Sequence, residues 1–178
     1  MAEQRIEPLN EAEQAWVRDE LDNARRLVLL HCPDAGDDPL TPRILDRTFK
    51  AAYESAPASD ADYANATINA VGIAFGQYLV DTLGLEWCAV FDDQGQELAV
   101  VGLPGKANTL VFPPNLVAKR WFAGTTDFLW YVYEGIKEDF AEFRDDGERH
   151  GEPPQSTKHA RSGVLSWFRR VFSRAAGN

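Results

Sequence analysis

The chain has little cysteine, little histidine and no long hydrophobic stretch. Only two cysteines occur among its 178 residues, Cys32 and Cys88, and each lies among apolar neighbours. Two cysteines are too few for a disulfide framework, so we expect reduced, buried thiols and a cytoplasmic location. No apolar run approaches the roughly 20 residues that a membrane-spanning helix needs. The N-terminus is polar and acidic, unlike a secretory signal peptide.

Signatures of catalysis and of metal binding are equally scarce. The three histidines are His31, His150 and His159, and none belongs to a recognisable nucleophile motif. The sequence has no HExxH, CxxC or EF-hand spacing. It therefore predicts no catalytic residue, no metal site and no cofactor.

Acidic side chains outnumber basic ones, and the excess lies in one part of the chain. Residues 1–146 contain 26 acidic and 12 basic residues, whereas residues 147–178 contain two acidic and six basic ones. The acidic part would repel nucleic acid phosphates, so we expect no nucleic acid partner. Such acidity favours solubility, and a basic protein partner is the alternative.

The spacing of apolar residues predicts four long helices, at about residues 10–31, 42–55, 63–83 and 126–145. Asn10 and Thr41 are suited to cap the first two. The third is apolar or small on nearly every side, which is typical of a helix buried on more than one face. Its Gly72 and Gly76 predict the close approach of another backbone, because glycine in a helix costs about 1 kcal/mol relative to alanine.

The hydrophobic period becomes that of strands after the third helix. Residues 86–102 contain two alternating runs around Asp92 and Gly95, a pattern that predicts a β-hairpin. A third strand follows at 108–112. Because such strands need a helical layer on one face, we predict an α+β fold: a three-stranded antiparallel sheet packed against several helices.

A short helix is predicted in "FPPNLVAKRW", directly after the third strand. The two prolines end the strand, and Asn115 is predicted to cap a helix over 116–122. Gly124 would end that helix, and Thr125 or Thr126 would cap the next one.

Two basic residues in the short helix, Lys119 and Arg120, allow two interpretations. They suit the negative end of the helix dipole, and we expect one of them to pair with Glu86 at the hairpin start. The alternative is that they hold an anionic ligand. The candidate ligand-binding residues are Glu86, Asp92, Asn115, Lys119 and Arg120.

Several of these residues belong to a longer pattern. It contains a Gly-x-x-x-Gly helix, Leu-Glu-Trp at the hairpin start, Asp and Gly at the turn, and Phe-Pro-x-Asn-x-x-x-Lys-Arg after the third strand. In this chain its positions are Gly72, Gly76, Glu86, Trp87, Asp92, Gly95, Phe112, Pro113, Asn115, Lys119 and Arg120. The pattern covers about residues 66–124 and resembles a bacterial family known as domain of unknown function 3806. The resemblance implies a bacterial source and no particular activity.

The C-terminal segment differs from the rest of the chain. Residues 146–160 have the composition of a linker, and "SGVLSWFRRVFSRAAG" predicts an amphipathic helix. Three alternatives remain open for this helix: it docks on the acidic body, binds a groove of a partner protein, or lies on an anionic membrane surface. Its candidate contact residues are Trp167, Phe168, Arg169, Arg170, Phe172 and Arg174.

The sequence thus predicts two units, an acidic α+β domain over 1–146 and a linker with a basic amphipathic helix over 147–178. The predicted function is a non-enzymatic binding or interaction module, such as a neutralising or scaffold partner of a basic protein. The alternative is a hydrolase-like enzyme in which Glu86 and Asp92 converge with Lys119 and Arg120 in one cleft.

Overall fold

The fold is an α+β arrangement in which helices pack on one face of an antiparallel sheet, which confirms the predicted class. A computed structural model describes residues 5–57, 60–93, 95–102 and 109–149. The elements in chain order are β1 (Arg5–Pro8), α1 (Glu11–His31), α2 (Pro42–Ser55), α3 (Ala61–Leu83), β2 (Glu86–Asp92), β3 (Gly95–Gly102), β4 (Thr109–Val111), α4 (Pro113–Ala123) and α5 (Leu129–Arg149).

The sheet of the described residues has four strands in the order β1-β2-β3-β4, so the prediction of three strands is wrong. The additional strand, β1, pairs antiparallel with β2 and places Ile6 opposite Val90. Four mostly exposed residues carry too short an alternation to be recognised in the sequence. They become a strand because the edge of β2 offers them unpaired backbone hydrogen-bonding groups.

The predicted hairpin is confirmed. β2 and β3 pair from Glu86 opposite Val101 to Asp92 opposite Gly95. Gly95 has a φ of 140°, a conformation that favours glycine. Its backbone N–H donates to Asp92 Oδ1 at 3.2 Å, so Asp92 stabilises the turn.

Helix α3 lies at the centre of the helical layer and contacts α1, α2, α4 and α5. The predicted close approach is confirmed at Gly72, where a Cβ would stand only 2.6 Å from the Cα of Pro114. At Gly76 the neighbour is a side chain instead, because a Cβ there would overlap the ring of Trp87. The two glycines therefore let α3 pack closely on both α4 and β2.

The sheet has two chemically different faces. The helix face packs its Trp87, Val100 and Val111 against the main core of buried helix residues. The far face contains a separate apolar cluster of buried Cys88, Val90, Ala99 and Val101, flanked by the half-buried Ile6, Leu110 and Phe112. Both cysteines are free and buried, as the sequence predicted.

Helix α4 begins at Pro113, two residues before the predicted cap. Phe112 occupies the N-cap position and makes no side-chain capping bond, so the assignment of Asn115 as a cap is wrong. Proline is tolerated in the first helical turn because the N–H that it lacks would have no partner inside the helix. The predicted end of the helix is confirmed, since Gly124 adopts the left-handed conformation with a φ of 64°.

Helix α5 is capped from a distant part of the chain. One carboxylate, that of Asp46 in α2, accepts backbone N–H groups from Phe128, Leu129 and Trp130 at 2.9, 2.9 and 3.1 Å. The prediction that Thr125 or Thr126 caps this helix is therefore wrong.

Candidate functional site

The two carboxylates of the hydrolase hypothesis lie far apart. Glu86 begins β2 and Asp92 ends it, so the two residues are separated by about 20 Å at the usual rise of a strand. Glu86 is exposed, and no ion pair between described residues includes it. The expected pair of Glu86 with Lys119 or Arg120 is thus not among the four ion pairs found between described residues.

The three predicted site residues of α4 have different surroundings. Asn115 Nδ2 donates to Glu97 Oε1 at 3.4 Å, a long contact between α4 and β3. Lys119 is exposed, whereas Arg120 is buried, with its guanidinium carbon 5.5 Å from the ring centroid of Phe128. Burial lowers the pKa of Arg120. The two adjacent basic residues thus have different surroundings, and the alternative that they hold an anionic ligand stays a prediction.

The remaining predicted contact residues belong to the C-terminal segment. Trp167, Phe168, Arg169, Arg170, Phe172 and Arg174 lie outside the described residues.

A short hydrogen-bond chain begins at a tryptophan of the family-like pattern. The indole N–H of Trp87 donates to Gln77 Oε1 at 3.0 Å, and Gln77 Nε2 donates to Asp81 Oδ1 at 2.8 Å. Gln77 and Asp81 lie one turn apart on α3, the spacing at which side chains of a helix meet. These two hydrogen bonds therefore link the carboxylate of Asp81 to Trp87 on the helix face of the sheet and fix its orientation.

Asp81 lies at the edge of an open cleft of about 410 Å³ between α1, α3 and the loop that precedes α2. The residues that line it are Leu21, Asp22, Arg25, Pro39, Leu40, Ala74, Gln77, Tyr78, Asp81 and Thr82. Leu21, Leu40 and Tyr78 are half-buried and Ala74 is buried, so they form an apolar floor. Asp22 and Asp81 are exposed at the rim.

The side chains of this cleft that can bind a ligand at the rim are mostly carboxylates. Among the described residues that line it, the basic one is Arg25, which donates from Nη1 to the backbone oxygen of Asp38 at 2.8 Å. Asp22 and Asp81 leave carboxylate oxygens at the rim that a basic group can reach. Burial raises the pKa of the neighbouring Tyr78 hydroxyl, and Tyr133 raises it further, so Tyr78 remains neutral. The cleft thus combines an apolar floor with two carboxylates, a combination suited to a long cationic side chain.

Among the described residues, no three His, Cys, Asp or Glu side chains are placed to hold a metal ion. The helices in the described part of the chain also lack the length and apolarity needed to cross a membrane.

The sequence contains one local sign of this cleft and lacks the others. The i, i+4 spacing of Gln77 and Asp81 is a known hydrogen-bonding arrangement on a helix. Nothing in the sequence indicates that Leu21 of α1 and Leu40 of the loop lie opposite these residues, because those contacts form between segments about 40 to 60 positions apart.

Comparison with known proteins gives one match. The model of a family described as Domain of unknown function (DUF3806) matches residues 47–133. No curated protein and no solved structure matches the chain. The matched segment includes the pattern at residues 66–124 and extends it in both directions, from α2 into α5. Residues 47–133 are therefore similar to the DUF3806 family, and the family's description names no activity.

Proposed function

We propose that the protein is a non-enzymatic binding module, and that the cleft between α1 and α3 takes a lysine or arginine side chain of a basic partner protein. The observation that carries this proposal is the pairing of an apolar floor, Leu21 and Tyr78, with the rim carboxylates of Asp22 and Asp81. In this role the protein would serve as a scaffold or a neutralising partner.

The chemistry of the cleft matches both parts of a basic side chain. The alkyl stem of lysine or arginine can cover the leucine and the tyrosine ring, while its charged head remains at the rim. A hydrogen bond between a cation and a carboxylate is about twice as strong as one between neutral groups. Asp81 is suited to receive that head because Gln77 already fixes its orientation.

The overall charge supports the same partner. The chain has a formal net charge of −10, so it attracts a basic protein over a distance of about one Debye length, roughly 8 Å at physiological salt. Attraction of this kind mainly raises the association rate and selects partners by charge.

Isothermal titration calorimetry of the full chain tests the proposal. The probe is a synthetic peptide of alternating arginine and leucine, and the control peptide replaces each arginine with glutamate. We expect binding of the arginine peptide alone, and we expect Asp81→Asn to weaken it at least fivefold. Asp93→Asn is the matched variant, because it removes the same charge at the exposed β2–β3 turn.

The two variants distinguish the cleft from general electrostatic attraction. Equal weakening by Asp81→Asn and Asp93→Asn would mean that only net charge matters, and the cleft would lose its role. Gln77→Leu provides a further check, since it keeps the charge of Asp81 but removes the bond that orients it.

We further propose a cytoplasmic location and the bacterial source that the family-like pattern implies. The location is supported by two cysteines that are free and buried, as is usual in proteins from a reducing compartment.

A further inference from the structure

The far face of the sheet is covered, although no described helix covers it. The four central residues of this face are almost fully buried. The solvent-exposed fractions are 3% for Cys88, 3% for Val90, 0% for Ala99 and 7% for Val101. The apolar neighbours that the structure gives this cluster are Ile6, Leu110 and Phe112, all of them in strands or at a strand end. Residues in the middle of a sheet face reach such burial only under a second layer.

Helices α3 and α5 reach the sheet on the opposite face, whereas α4 contacts Glu97 of the far face through Asn115 and contributes no residue to the apolar cluster. Helix α3 meets it where Gly76 contacts Trp87, whose side chain belongs to the helix face. Helix α5 meets it where Phe140 packs on Gly102, two residues after Val100 and therefore on the same face. The second layer on the far face must come from another part of the chain, because the exposures are those of this single chain.

We propose that the C-terminal segment 162–177 forms an amphipathic helix that docks on the far face of the sheet. Its apolar side chains, which include Trp167, Phe168 and Phe172, would cover the cluster around Cys88 and Ala99. The proposal selects the acidic body of the same chain from the three surfaces that the segment could bind.

The chain is long enough for this placement. Phe140 lies against Gly102 near the β3–β4 edge of the sheet, and α5 continues from there to Arg149. Residues 150–161 follow, and twelve extended residues span up to about 40 Å. The distance from one face of a sheet to a layer packed on the other is about 10 Å, so the linker can pass the edge of β4.

The length and the charge of the segment also match those of the far face. Residues on the far face of β2 run from Glu86 through Cys88 and Val90 to Asp92, a stripe of about 20 Å along the strand. A helix of the 16 residues 162–177 has a similar length, about 24 Å. Glu86 and Glu97 lie on this face by strand alternation and are exposed, where they can attract Arg169 and Arg174 beside the apolar side of the helix.

Docking would also stabilise the segment as a helix, since a helix of this length has little stability by itself. The segment has 16 residues, close to the length of about 12–15 below which isolated helices are marginal in water even in favourable sequences. An apolar sheet face supplies the tertiary contacts that such a helix lacks.

Thiol labelling of the full-length protein tests the proposal. Burial raises the pKa of the Cys88 thiol to about 11, so a covered Cys88 reacts slowly with iodoacetamide at pH 8. The double variant Trp167→Asp/Phe168→Asp should raise the labelling rate of Cys88 at least tenfold, measured by peptide mass spectrometry. Cys32, buried between α1 and α2, is the internal control and should keep its rate.

Ser173→Asp is the matched variant, because Ser173 lies on the polar side of the predicted helix. It should leave Cys88 protected. Continued protection of Cys88 in the Trp167→Asp/Phe168→Asp variant would overturn the proposal. If both cysteines become reactive, the Trp167→Asp/Phe168→Asp variant has unfolded. The variant Arg169→Glu/Arg174→Glu then tests the proposal, because it keeps the apolar side of the helix. It must make Cys88 reactive and leave Cys32 protected.

Two other occupants of the far face give different results. If a second copy of the chain covers it, Cys88 becomes reactive on dilution of the unmodified protein, at the concentration where a dimer dissociates in ultracentrifugation. If the segment instead prefers a membrane, vesicles with 30% phosphatidylserine expose Cys88 of the unmodified protein. Either result overturns docking in the same chain, whereas protection under both conditions supports it.

Discussion

The helices α1 and α5 begin in different ways. At the start of α1, Asn10 accepts the N–H of Glu13 and the Glu13 carboxylate accepts the N–H of Asn10, at 2.9 and 2.8 Å. At the start of α5, the carboxylate that binds the first N–H groups belongs to Asp46, 82 positions before Phe128. The first start can be recognised in four consecutive residues, whereas the second exists only in the folded molecule.

The difference has an energetic consequence. The Asn10 box is exposed, so water can replace its bonds at low cost. Asp46 is 6% exposed, and desolvation raises the pKa of its carboxyl despite the three N–H groups that favour the charged form. Losing a buried acceptor leaves donors without water, so the distant cap should contribute more to stability than the local one.

The largest effect is expected from Asp46→Ala. It leaves the N–H groups of Phe128, Leu129 and Trp130 without their acceptor and detaches α5 from α2. We expect a loss of about 2–4 kcal/mol in the free energy of unfolding, measured by urea denaturation. Asp46→Asn keeps one acceptor oxygen and should lose less. A loss below that of Asn10→Ala would contradict the role of Asp46 as the cap of α5.

A smaller effect is expected from Asn10→Ala. The substitution removes the side-chain oxygen that accepts the Glu13 N–H, and such caps contribute about 1 kcal/mol. Thermal unfolding followed by circular dichroism measures it. Asn10→Asp serves as the control, because aspartate retains the accepting oxygen and should unfold near the unmodified protein. An unchanged melting temperature in Asn10→Ala would show that α1 is held by its packing alone.

The smallest effect is expected from Asn115→Ala. Asn115 lies inside α4 and caps nothing, and its one side-chain bond is the 3.4 Å contact with the exposed Glu97. We expect a loss below about 0.5 kcal/mol, as for most surface positions. A loss as large as that of Asn10→Ala would restore Asn115 as a cap and would require α4 to begin three residues later, at Leu116.

The same division between local and distant contacts explains which features the sequence could predict. The cap of α2 was predictable, because Thr41 Oγ1 accepts the N–H of Ile44 only three residues away. The hairpin was predictable, because Asp92 and Gly95 lie in one turn. The strand β1 was not predictable, since it pairs with β2, about 80 residues later.

The candidate site follows this rule as well. The predicted residues Glu86 and Asp92 were chosen for their chemistry, and a straight strand then separates them. The cleft at Asp81 joins α1, a loop and α3, which no single stretch of sequence contains. The bond from Gln77 to Asp81 was the one part within reach of sequence patterns, because both residues lie on one helix.

The sequence by itself determined the elements whose signals are local: amphipathic helices, the hairpin, the glycine that ends α4, and the acidic character of the body. Tertiary structure alone decided that Asp46 caps α5, that β1 completes the sheet, and that Leu21 and Asp81 share a cleft. The physical reason is that periodicity, caps and turns depend on residues within a few positions. Contacts between distant segments depend instead on how the helices and the sheet pack together.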